Sequence, residues 1–75
     1  MANFKIITGE LTELDLDRYV GHVWIKGEGH RTEVTFQHQK LQDMKRVFGV
    51  PAQFEGMFKS RLLFEVFDVM VIRND

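Results

Sequence analysis

The 75-residue chain has no cysteine, one proline, one serine, one tryptophan and one tyrosine. Without cysteine there is no disulfide framework and no thiolate to act as nucleophile or metal ligand. The only serine, Ser60, falls in an expected turn, and the three histidines fall on different elements, so no nucleophile with an adjacent base stands out and no enzyme activity is expected. No apolar stretch reaches the ~20 residues that a membrane helix needs. The opening Met-Ala-Asn-Phe-Lys lacks the basic-then-apolar shape of a secretory signal. A cytoplasmic location with no membrane partner is therefore expected. Neither sign of charge dominates, with ten Lys and Arg against eleven Asp and Glu. The hydrophobic share of 44% is that of a globular chain and not of a disordered one. A chain this short has room for one hydrophobic core, so residues 1–75 are read as a single small domain.

What is present is a series of strand patterns with one helix among them. Phe4 to Leu16 is rich in Ile, Leu and Thr, and Leu14 and Leu16 alternate with acids. The spacing from Leu11 to Leu14 breaks the period of two, which predicts one extra residue, with Gly9 suited to a bulge or bend. Tyr19 to Lys26 is the second strand. Tyr19, Gly21, Val23 and Ile25 share one face, and Val20, His22, Trp24 and Lys26 share the other. Gly27-Glu28-Gly29 predicts a turn into a third strand from Thr32 to Phe36.

The period then lengthens. Leu41, Met44, Val47 and Phe48 recur at three and four with polar residues between them, which predicts a short amphipathic helix. Gly49 fits a left-handed C-terminal cap, Pro51 stops the helix from continuing, and Lys45 and Arg46 complement the negative end of its dipole. Two more strands follow, Ala52 to Phe58 and Leu62 to Ile72, joined by Lys59-Ser60-Arg61. The last is nearly all apolar, which predicts burial on much of both faces, against the barrel interior on one and the helix or a second subunit on the other.

The fold class is thus mainly β with one short helix, in the order β-β-β-α-β-β. With its long bent first strand and its helix between strands three and four, this order resembles the OB-fold from about Phe4 to Ile72. The resemblance lies in element order, with no signature motif, and it implies a five-stranded OB-like or other small β-barrel. A five-stranded sheet of another topology packed on the helix fits the same order. OB-folds bind oligonucleotides or oligosaccharides across strands two and three, between the first and last hairpin loops.

Charge is unevenly spread. Residues 18–61 carry eight Lys and Arg against four acids, whereas the flanking segments are acidic. On the OB-like reading, His22, Trp24 and Lys26 share the outer face with Arg31, while Arg18 lies in the first loop and Lys59 and Arg61 in the last. An exposed aromatic offers a stacking platform for bases, and Lys and Arg neutralise phosphates. The expected nucleic-acid-binding set is therefore Arg18, His22, Trp24, Lys26, Arg31, Lys59 and Arg61, acting on single-stranded DNA or RNA. The competing expectation for Trp24 is core or interface packing, since tryptophan buries a large area and needs one polar partner. Glu28 and Glu33 lie close to the proposed groove, and the pI of 6.3 is well below that of a strongly basic binder.

A second function class is protein interaction or homodimerisation through residues 62–72, whose apolar content exceeds what one strand of a small barrel hides. No cofactor is expected. His22, His30 and His38 recur every eight residues, a spacing that matches no short zinc motif. The acids between Glu10 and Asp17 lie along a strand and not in a glycine-hinged calcium loop. Gly27-Glu28-Gly29 joins two strands instead of opening a helix, so it lacks the terminus that would hold a phosphate.

Overall fold

The computed structural model describes residues 4–72. Five strands, β1 (Lys5–Asp15), β2 (Val20–Ile25), β3 (Arg31–Phe36), β4 (Pro51–Phe58) and β5 (Leu63–Val71), close into a barrel in the order β1-β2-β3-β5-β4. Neighbouring strands are antiparallel except β3 and β5, which are parallel. This is the OB-like barrel that the element order implied.

Closure depends on β1 serving two neighbours. Its first part, Lys5 to Glu10, pairs with β4, and its second, Gly9 to Asp15, pairs with β2. Only Gly9 and Glu10 are paired on both sides. Gly9 is required there because the carbonyl of Trp24 occupies the place of a Cβ. The extra residue is Thr12, since the register steps from Leu11 opposite Val23 to Glu13 opposite His22. It thus falls between Leu11 and Leu14, as their spacing requires, while Gly9 allows the close strand crossing and is not itself the bulge. The insertion lets both leucines face inward, Leu11 fully buried and Leu14 packed against the core.

Between β3 and β4 lie a turn of 3₁₀ helix, His38–Lys40, and α1 (Leu41–Arg46). A six-residue helix is not stable alone. Burial of Met44 within it and of Val47 just past its end, worth about 1.5–3 kcal/mol each, holds it on the barrel. Gly49 adopts φ 77°, as expected of the cap, and its amide donates to the Leu11 carbonyl at 3.0 Å. The helix is shorter than its apolar spacing predicted. Phe48 lies outside it, bridges to Leu11 along the backbone and is exposed.

The prediction for the last strand needs correction. Phe64 and Val66 point into the core and Val69 packs against it, but the other side of β5 is open toward its end, where Asp68 is exposed and Met70 is 66% exposed. The helix sends Met44 into the core and leaves Met70 uncovered. Phe67 is the unpaired extra residue of a second bulge, where the register steps from Glu55 opposite Asp68 to Gly56 opposite Val66. Leu62, expected in the strand, precedes it in the loop and is 79% exposed. Among the described residues, no helix is long and apolar enough to cross a membrane.

Candidate nucleic-acid interface

Alternation along β2 sends Gly21, Val23 and Ile25 into the core and leaves His22 half-buried and Trp24 43% exposed on the outer face. Trp24 is therefore not a core residue. Register sets its neighbours as Glu10 on β1 and Arg31 on β3. One step along the same face, His22 stands between Glu13 and Glu33.

The outer face of β2 and β3 is less basic than the sequence suggested, because β1 supplies acids to it. Glu13 Oε1 accepts a hydrogen bond from Arg31 Nη1 at 2.8 Å, and Glu13 Oε2 lies 3.1 Å from His22 Nδ1. The buried Nδ1 makes no hydrogen bond of acceptable geometry there. Arg31 is thus already neutralised. Arg18 lies in a loop built on Asp15, whose Oδ1 accepts from the amides of Asp17 and Arg18 at 2.9 and 3.1 Å. It lines a groove of about 290 Å³ with His22 and the acids Glu13, Asp15 and Glu33. That groove disfavours a phosphate. Arg18, His22 and Arg31 thus face acids, although Arg31 remains the cross-strand neighbour of Trp24.

The remaining residues come together elsewhere. A groove of about 470 Å³ runs between the start of β1, the β2–β3 turn and the β4–β5 loop. It brings Lys5, Lys26 and Arg61 together, with Phe58 in its wall. None of the three cations has an ion-pair partner among the described residues. The groove's one acid, Glu28, lies 3.3 Å from His30 Nε2. A second groove, of about 390 Å³, is walled by Trp24, Pro51 and Ile72. Thr8 and Lys26 line both, so the two adjoin, and Glu10 is the second groove's one acid. Lys59 is exposed in the β4–β5 loop but lines neither.

Sequence reasoning missed Lys5 and Phe58. Phe58 reads as another apolar strand residue, yet it lies near the end of the barrel, packed edge-on against Phe64 at 4.9 Å and 39% exposed. Lys5 lies in an acidic segment, and only the pairing of β1 with β4 carries it beside Arg61. Alternation within one strand holds no signal for either.

The other histidines are engaged locally. His38 Nδ1 and the Tyr19 hydroxyl share a hydrogen bond of 3.1 Å, and both rings pack edge-on. Among the described residues, no three His, Cys, Asp or Glu side chains are grouped to hold a metal ion. Comparison of the chain with protein-family models, curated proteins and solved structures finds no match.

Proposed function

We propose that this chain is a non-enzymatic binding module for single-stranded nucleic acid. The observation that carries the reading is that the two grooves adjoin and share Thr8 and Lys26. It joins three unpaired cations and the part-exposed Phe58 ring to the exposed Trp24. Single-strand binders need this combination, a charged track for phosphates and aromatic faces for bases. The path differs from the expected face of β2 and β3 in passing beside Trp24 toward β1 and away from the acids around His22. Lys26, Arg61 and Lys5 contact phosphates, and Trp24 and Phe58 stack on bases. Three contacts imply modest, salt-sensitive affinity.

The test is a titration with short single-stranded DNA and RNA, following Trp24 fluorescence and the anisotropy of a labelled oligonucleotide. Quenching that weakens with salt and is lost in Lys26→Glu is the expected result. No change in either signal at low salt refutes the reading.

A second reading, protein interaction through the C-terminal strand, is favoured by the exposure of Met70 beside the exposed Ile6. Monomeric proteins rarely leave such residues in contiguous patches without a partner.

A further inference from the structure

The outer face of β1, β4 and β5 borders the basic grooves at Ile6 and Thr8 but has a different character. Cross-strand register orders it in rows. Ile6, Glu55 and Asp68 form one, and Thr8, Gln53 and Met70 form the next. Ile6 is 58% exposed and Met70 66%, and beyond them an exposed Phe4 packs edge-on against Phe67 with ring centroids 5.7 Å apart. A shallow trough of about 50 Å³ lies between Ile6 and Met70, with Glu55 and Asp68 beside it.

The ladder charges of β4 and β5 are of one sign. The spans of β4 and β5 contain Glu55, Glu65 and Asp68 and no Lys or Arg. Glu55 and Asp68 are directly opposite each other, an arrangement of like charges that costs stability across a ladder. Asp68 has Lys40 Nζ at 3.6 Å, but that ammonium is shared with Asp43 at 3.8 Å, and Glu55 has no ion-pair partner among the described residues. A cation seated between the two carboxylates would relieve the repulsion.

We propose that this face docks a basic, amphipathic segment of a partner protein, whose apolar side chains lie on Ile6 and Met70 and whose Lys or Arg heads reach Glu55 and Asp68. Methionine suits the role because its flexible thioether adapts to differing apolar partners. The inference rests on the protein-interaction reading and not on the nucleic-acid one. A second copy of the chain is the poorer occupant, because an isologous dimer through this face brings together two copies of the Glu55–Asp68 pair. Nucleic acid is repelled by the same carboxylates.

The probe is a short labelled peptide of alternating Lys and Leu, compared with Lys/Ser and Glu/Leu peptides of equal length, read by anisotropy and by backbone amide shifts of the ¹⁵N-labelled full chain. The Lys/Leu peptide is expected to bind more tightly than either control, to shift the amides around Ile6, Glu55 and Met70, and to lose affinity by roughly tenfold in Glu55→Lys. Equal binding of the Lys/Ser peptide, or shifts confined to other faces, overturns the proposal without recourse to any variant. Concentration-dependent dimerisation abolished by Met70→Ser overturns it in favour of a second copy while keeping the protein-interaction reading. A monomer that binds none of the peptides overturns both.

Discussion

Substituting Lys26 by Gln removes one positive charge from the centre of the path while keeping most of the side chain's length. Lys26 lines both grooves and is fully in solvent contact, so the fold should be unaffected. Three unpaired cations flank the larger groove. With one phosphate neutralised by each, the logarithm of the association constant for a single strand falls with the logarithm of salt at a slope of about −2. Raising salt from about 50 to about 200 mM should then weaken binding by about twentyfold in the wild type. In Lys26→Gln the slope should be about −1.4 and the same change should weaken binding by only about sevenfold. Lys45→Gln serves as the control, since Lys45 is exposed on α1, beyond the opposite end of β3 from the β2–β3 turn. Anisotropy of a labelled oligothymidine across a salt series measures both slopes. Equal slopes in Lys26→Gln and wild type, or a reduced slope in Lys45→Gln, would refute the placement of the phosphate track.

Glu13→Gln should release the Arg31 guanidinium, raise oligonucleotide affinity and steepen the salt slope by up to about 0.7; a lower affinity, seen in the same anisotropy assay, would count against the view that Glu13 neutralises the upper part of the face. Gly9→Ala should unfold or severely destabilise the barrel, because the new Cβ meets the Trp24 carbonyl where β1 exchanges neighbours; a thermal midpoint within a few degrees of wild type contradicts that geometry. Phe54→Ala, at a fully buried ring, should cost about 3–5 kcal/mol in urea unfolding, whereas Trp24→Ala should cost much less in stability and instead weaken base stacking by about 1–3 kcal/mol. The reverse ranking in stability would mean that Trp24 holds the fold together.

Much of the architecture was legible in the chain because it is written in local periods. Alternation around Val23 and Val34 marks half-buried strands, the three-and-four spacing of Leu41, Met44 and Val47 marks the helix, and Gly49 and Pro51 mark its end. Even the Thr12 bulge is implied by the distance from Leu11 to Leu14. Periodicity failed at β5, where nearly every residue is apolar and both faces look equally suited to the core. Barrel closure and the Phe67 bulge made the choice there, sending Phe64, Val66 and Val69 inward and leaving Met70 in solvent.

The candidate site divides along the same line. By itself the sequence determined that His22 and Trp24 share a strand face and that Arg61 lies in the last loop, since these follow from position along the chain, whereas Lys26, expected on the same strand, lies in the turn just past β2. Only the tertiary structure decided which charges meet. Glu13 and Arg31 are 18 residues apart and cancel each other because the bulge and the β1–β2 register bring them together. Lys5 joins Arg61, and Ile6 joins Met70, because β1 changes its pairing partner at Gly9 and carries its first residues across to β4. A local period reports which way a side chain points from its own strand; the neighbours it finds there come from distant segments, and barrel closure selects them.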